Sequence, residues 1–583
     1  MPQTEKEKLM GDEKNPEKDF EKEKKKKIEK EPEKQTKKAP KPKKKKKKGK
    51  AGFLFILLIL LAVICAGVYL LIPSKNRVSH NQYFGLEDDN QYGLIVNSEI
   101  VDITNGAPFE ENGVWYLPFS TLYYEISDAF YYDGLALLYT DPLQTYSAAP
   151  GESFYTDSDG IKYTLTYQPC YFKDGSLCIA LDYLKLMDYS YYTVDDTMKS
   201  IWVFNDWSEQ PRASLLKDTK ARTQAGIKND IVASLATDDV VTVLEQGASW
   251  SRVQTQTGLV GYVQNKMLGE ITEEAKAVPD GRPLPKYTNI AMDEMVVMGW
   301  HQVFSESGYS QLDDINISTD GLQVFGTTSH RKTLITAVID AVKELGADGI
   351  NLDVETIKSD VGPSYIQFIR ELSAACRKEK LVLSVDNYSP MPHTAFYDRT
   401  QQGQVVDYVV VMAYDEHYVK GPEAGSTSSL AFVKQSAERT IAEVPKEKVI
   451  VGLPFYSRLW CETPADSESD KTDNSQVFVD NSDGTYDSKN NKYLLSSKGV
   501  SMEGENNIIR EHDLSLTWLD DVGQFYTEYE ENGSWYRLWV EDENSMDLKM
   551  QAACSYEPGG VAFFKLNMEN KETWSIIRKY TDK

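Results

Sequence analysis

Leu345-Gly-Ala-Asp-Gly-Ile-Asn-Leu-Asp-Val-Glu355 is the stretch on which the reading of this chain turns. Ile350, Leu352 and Val354 alternate with Asn351, Asp353 and Glu355. Side chains on a strand switch faces with period two, so the three polar groups share one side. Upstream, Arg331 to Leu345 carries Leu334, Ile335, Val338, Ile339, Val342 and Leu345 at helical spacing, with Thr328 or Ser329 as N-cap and Gly346 as the stop. Helix, short turn and strand make the repeat of an α/β barrel or a doubly wound sheet. In a barrel the C-terminal end of such a strand opens onto the active site, which sets Glu355 at the mouth. Spacing alone favours the plainer alternative, a half-exposed strand with a solvated acidic face.

Around this stretch, residues 287–583 are long enough for one large domain. Strands are expected at Met295–Gly299, Leu322–Phe325, Gly349–Val354, Leu381–Val385, Tyr408–Met412, Val449–Leu453 and Gly560–Phe564, with helices such as Tyr365–Lys378 and Leu430–Val444 between them. Tyr408-Val-Val-Val-Met412 and Val449-Ile-Val-Gly-Leu453 are unbroken apolar runs, which suit a parallel sheet covered by helices.

Asp348-Gly-Ile-Asn-Leu-Asp-Val-Glu355 resembles the DGxDxDxE signature of glycoside hydrolase family 18, the chitinase-like enzymes. Met412-Ala-Tyr-Asp415 is similar to that family's Met-x-Tyr-Asp strand end, and Gly452-Leu-Pro-Phe-Tyr456 to its seventh-strand exit. Ser384-Val-Asp-Asn-Tyr388 and Trp539-Val-Glu-Asp-Glu543 are similar to segments of its spore-cortex and wall-lytic branch. The resemblance implies a TIM-like α/β barrel with Glu355 as the general acid. A glycosidic oxygen leaves poorly until protonated, so Glu355 is expected to be buried and to hold a proton beside Asp353. The resemblance further implies that the nucleophile is the substrate's own N-acetyl carbonyl, with Asp353 orienting that group and Tyr414 donating to it. Asn351, Asp415, Met412, Asn387 and Phe564 are the implied substrate contacts. Asn351 stands where many of these enzymes have Asp, and Phe564 where the family usually has a sugar-flooring Trp. Only 49 residues separate Gly299 from Gly349, so the barrel is expected to lack one or two strands.

Residues 1–52 read as a disordered tail: the first fifty hold 21 lysines against 11 acids, although the whole chain carries −25. Phe53–Ile72, twenty residues without charge, reads as a transmembrane helix with the lysine-rich end cytoplasmic and the rest extracytoplasmic. The acidic remainder argues against nucleic acid as a partner. Residues 86–208 read as a β-rich α+β domain in which Leu94-Ile-Val-Asn-Ser-Glu-Ile-Val101, Ala107-Pro-Phe109 and Asn112-Gly-Val-Trp-Tyr-Leu-Pro118 are similar to the stalk domain of copper amine oxidases, and residues 213–268, with Val240-Val-Thr-Val-Leu244, Trp250-Ser-Arg-Val253 and Gly258-Leu-Val-Gly-Tyr-Val263, resemble the bacterial SH3-like wall-binding domain. Cys170 and Cys178 flank the turn Lys173-Asp-Gly-Ser176, where a hairpin disulfide is one reading and two free thiols the other. The histidines show no HExxH and the cysteines no CxxC, so neither metal nor other cofactor is expected.

Two functions stay open. One is a membrane-anchored hydrolase cutting β-1,4 bonds next to N-acetylglucosamine in peptidoglycan or chitin. The other is a wall carbohydrate-binding protein with weak or no turnover.

Overall fold

The protein is described by a computed structural model that covers residues 71–287, 324–355, 357–482 and 491–581. The parallel sheet is the part that positions the site. Its strands are β1 (Gly349–Leu352), β2 (Val382–Tyr388), β3 (Tyr408–Met412), β4 (Val449–Pro454) and β5 (Gly560–Phe564). They pair in chain order, every pair parallel. Helix α1 (Thr328–Leu345) leads into β1, and α2 (Gly362–Glu379), α3 (Arg399–Val405) and α4 (Leu430–Glu443) separate the strands to β4. Helix α5 (Glu543–Ser555) precedes β5 and α6 (Thr573–Thr581) follows it. Strands taken in sequence order with a helix in each crossover are the arrangement of a TIM-like barrel wall.

Local chemistry sets these boundaries. Thr327, one residue earlier than expected, caps α1 by accepting from the His330 N–H at 3.3 Å. Gly346 ends the helix at φ 65°, a left-handed conformation that costs glycine least. One face of the sheet is apolar throughout: Leu352, Leu383, Val385, Val409, Val411, Val449, Val451 and Leu453 are buried against Leu334, Val338, Ile369, Leu372, Val433 and Met550 of the helices. Each such side chain contributes roughly 1.5–3 kcal/mol on leaving water. This burial fixes which way every strand faces, because a one-residue slip would turn the apolar set outward.

Between β4 and β5 the chain builds a second, six-stranded antiparallel sheet. Tyr456–Pro464 pairs with Lys492–Ser501 and with Ser534–Val540, and the helix Met502–Glu511 packs beside them. N-terminal to the parallel sheet lie two four-stranded sheets, a five-stranded meander over Phe130–Thr164, and a seven-stranded sheet running from Glu209 to Ala275. The meander meets the helices directly. Thr328 Oγ1 donates to Asp133 Oδ2 at 2.5 Å, and Gln367 Nε2 donates to Thr140 Oγ1 at 3.0 Å.

Several expectations are corrected here. The assignment to a membrane by one helix is overturned: among the described residues no helix is long and apolar enough to cross one. The run Phe53–Ile72 that raised it lies outside the described residues except for Leu71 and Ile72, which are 75% and 52% exposed. Val324 and Phe325 are helical rather than extended, and Met295–Gly299 lies outside the described residues. Cys170 and Cys178 are both free. Cys170 faces Ile179 across the hairpin and Cys178 faces Tyr171, so an odd offset puts the two sulfurs on opposite faces.

Candidate active site

The inward face of the parallel sheet is built in layers. Asn351 stands level with Ser384, and Ser384 Oγ donates to Asn351 Oδ1 at 2.7 Å. Carrying the same register past Leu352 and Val385 sets Asp353 beside Asp386, which in turn pairs with Val410 of β3. One layer further, Glu355 meets Tyr388, whose hydroxyl donates to Glu355 Oε2 at 2.5 Å. Tyr388 is level with Met412, and Met412 with Gly452. Tyr414 follows, its ring stacked on Phe564 with centroids 5.6 Å apart and 17° between planes. Neighbouring parallel strands lie ~4.8 Å apart, so each layer holds its groups within side-chain reach.

Gly452 makes room for Tyr414. A Cβ there would lie 3.3 Å from Tyr414 Cε1 and 3.1 Å from the Val411 carbonyl. Beyond Tyr414, Asp415 adopts φ 55° and its Oδ1 accepts from the Tyr456 hydroxyl at 2.7 Å and from Arg458 Nη2 at 2.8 Å. Both donors stand on the first strand of the inserted sheet, which therefore closes over one side of the mouth.

Electrostatics follows from crowding acids on one face. Asp353, although its side chain is open to solvent, has its carboxyl pushed up to about 6 by partial burial and by the Glu355 charge. Asp386 is pushed up to about 7 by burial first, then by Asp353. Burial and Asp386 together hold the Tyr414 phenol well above its usual range, so it remains a hydrogen-bond donor at any working pH. Among the described residues no group of three or more His, Cys, Asp or Glu could hold a metal ion.

The structure thus brings Asn351, Asp353, Glu355, Met412, Tyr414 and Phe564 to one face, with Asp415 at its rim. Asn387 is not among them. It is 1% exposed, points to the helix side and donates to Gln402 Oε1 at 2.6 Å, because the period-two alternation of β2 sends Ser384, Asp386 and Tyr388 inward. Glu355 is exposed instead of buried, since β1 ends at Leu352 and Glu355 stands three residues beyond it. Asp386 and Tyr388 were missed although the alternation marks them. Arg458 carries no sequence signal, because its partner Asp415 lies 43 residues away.

A parallel sheet with a polar inward face and acids at its carboxyl ends is the frame of a TIM-like glycosidase, and the comparisons agree. Residues 295–569 match the family model "Glycosyl hydrolases family 18" and residues 217–269 match "Bacterial SH3 domain". The chain carries a family 18 glycoside hydrolase domain and a bacterial SH3 domain. Over 265 residues it is 26% identical to the "Uncharacterized glycosylase YvbX" of Bacillus subtilis (strain 168), covering 44% of this chain and 69% of that protein. Over 274 residues it is 21% identical to the "Cortical fragment-lytic enzyme" of Bacillus anthracis, covering 46% of this chain and 58% of that one. The solved spore cortex-lytic enzyme SleL of Bacillus megaterium QM B1551 is 17% identical with a TM-score of 0.38, over 47% of this chain and 61% of that chain.

Proposed function

We propose that this protein hydrolyses β-1,4 bonds next to N-acetylglucosamine in peptidoglycan by a substrate-assisted, retaining route. The placement of Asp353 and Glu355 just past β1 and of Tyr414 just past β3, at the carboxyl ends of one parallel sheet with only β2 between them, is the observation that carries this reading. Glu355 protonates the bridging oxygen; Tyr388 holds it at the mouth, where a glycan has access. Tyr414, locked as a donor, hydrogen-bonds the acetamide carbonyl while that oxygen attacks the anomeric carbon. Asp353 accepts from the acetamide N–H and stabilises the cationic ring that forms, which costs least in a site organised beforehand. Asp415, fixed by Tyr456 and Arg458, contacts the same sugar, and Phe564 supplies an apolar floor.

Peptidoglycan is preferred to chitin because relatives are named for cortex fragments and because the SH3 domain suits attachment to a wall. The β-rich domain before it serves as a spacer similar to the amine-oxidase stalk. Purified full-length protein is expected to release reducing ends from peptidoglycan, with chitin oligomers as the comparison. One feature favours the second reading, a wall-binding protein without turnover: Asn351, Asp353 and Glu355 are all exposed. Sugar binding without any release of reducing ends would establish it.

Phe564 is 39% exposed and stacks on Tyr414, so it presents a ring face to a ligand. Phe564→Ala is expected to weaken binding of an N-acetylglucosamine oligomer about tenfold, or ~1.4 kcal/mol, within the range of one aromatic contact. Calorimetric titration checks this, and an unchanged Kd would remove Phe564 from the sugar site.

A further inference from the structure

Asp386 is the acid on the inward face that the mechanism above does not use. Its surroundings are unusual for a carboxylate. Asn351 Nδ2 donates to its Oδ2 at 2.9 Å, while Oδ1 is buried and has no hydrogen-bond partner. A buried carboxylate oxygen without a donor is costly, whereas a protonated one is itself a donor. Continuing the register one step past the end of β1 sets Asp353 beside it, and Glu355 lies one layer further out. The Asp353 charge adds to burial in disfavouring the ionised form of Asp386, so Asp386 is the carboxyl that holds its proton toward neutral pH.

Which of the two keeps it follows from their surroundings. Asp353 is open to solvent, and Asp386 is the more buried. Asn351 occupies Oδ2 as a donor, which leaves Oδ1 as the atom to carry the hydrogen. Facing Asp386 are Asp353 and Glu355 from the segment just past β1, Tyr388 on its own strand, Tyr414 after β3 and the buried Tyr365 of α2. None of these is a cation that would favour its ionised form.

We propose that Asp386 is a positioning residue for this site: anchored by Asn351, it keeps a proton on Oδ1, offers it to Asp353, and thereby fixes the Asp353 carboxylate toward the substrate's acetamide. The proposal rests on the hydrolase reading above. It also gives Asn351 a use, because an amide donates to Asp386 where a second carboxylate would repel it.

The test uses the full chain with Asp386→Ala and Asp386→Asn, assayed by reducing-end release from peptidoglycan between pH 4 and 9. Wild-type kcat is expected to fall as pH rises through about 7, where Asp386 loses its proton. Asp386→Ala, which has no donor, should lose roughly tenfold or more in kcat with KM moved by less than about threefold. Asp386→Asn keeps a neutral donor, so its kcat should fall less and the inflection near 7 that belongs to Asp386 should be lost from its pH profile. Alanine and asparagine variants that both retain the wild-type inflection near 7 would overturn the proposal.

Thermal unfolding without substrate separates this from failure of the hydrolase reading. The native carboxyl titrates near 7 and the unfolded one near 3.8, so the native state binds the extra proton between those values and wild-type stability falls as pH rises through that window. Asp386→Asn should gain in Tm over wild type from pH 4 to about 7 and hold that gain above it. If wild type releases no reducing ends but the gain appears, the hydrolase reading fails while Asp386 still holds its proton. If the Tm difference is flat with pH, the proton on Asp386 is excluded.

Discussion

Glu355→Gln is expected to lower reducing-end release from peptidoglycan by roughly 10²–10⁴-fold, the share of a rate that general acid catalysis supplies. Glutamine keeps the shape of the side chain and its carbonyl still accepts from the Tyr388 hydroxyl, so the mouth is preserved. Only the transferable proton is lost. Affinity for an N-acetylglucosamine oligomer should therefore stay within about threefold of wild type, since binding and transition-state stabilisation are separable in this way. Steady-state kinetics paired with calorimetry decides the matter. A variant as fast as wild type would take the acid role from Glu355, and one that neither binds nor cleaves would point to a damaged site.

What made the sheet legible was burial on one face. Tyr408–Met412 and Gly560–Phe564 were read with the bounds they have, and Val449–Leu453 fell one residue short, because apolar runs flanked by turns have few alternatives as short, covered strands. The same rule misread Leu322–Phe325. Four apolar-rich residues suit a strand or a helix turn equally, and Val324 and Phe325 lie in a helical turn ahead of α1, to which the Phe325 carbonyl is tied by accepting from Arg331 Nη1 at 2.7 Å. The site was half legible for a related reason. Alternation along β1 assigned Asn351, Asp353 and Glu355 correctly to one face, but β2 was read by resemblance, which selected Asn387, when alternation would have selected Asp386 and Tyr388. Non-local partners were out of reach: neither Gln402 opposite Asn387 nor Arg458 opposite Asp415 is implied by any spacing. The hairpin cysteines repeat the lesson. Their spacing says that they lie near each other, while only the register says that they point apart.

Trp539-Val-Glu-Asp-Glu543 was singled out by resemblance, and the structure gives its central acid a packing role that sets up the last large effect. Glu541 and Lys549 are an ion pair with both side chains at 0% exposure. Glu541 also accepts from Gln524 Nε2 at 3.0 Å and from Ser545 Oγ at 2.6 Å. Its backbone N–H donates to Glu505 Oε2 at 2.9 Å, and the other oxygen of Glu505 accepts from Ser457 Oγ. One buried cluster thus pins α5, the helix Met502–Glu511 and the strand Tyr456–Pro464 together. Ser457 lies between Tyr456 and Arg458, the two residues that hold Asp415. Lys549→Met fills a similar volume but leaves Glu541 buried without its cation, which is expected to cost about 3–5 kcal/mol. For a domain of this size that lowers Tm by roughly 6–20 °C. Adding Glu541→Gln should recover most of the loss, because a neutral amide keeps an acceptor for Ser545 and buries no charge. Thermal unfolding of the single and double variants tests the pair, and a double variant no more stable than the single would show that packing around Lys549, and not the stranded charge, sets the cost. Where the double variant still folds, KM for the glycan reports whether the strand that carries Tyr456 and Arg458 has kept Asp415 in place.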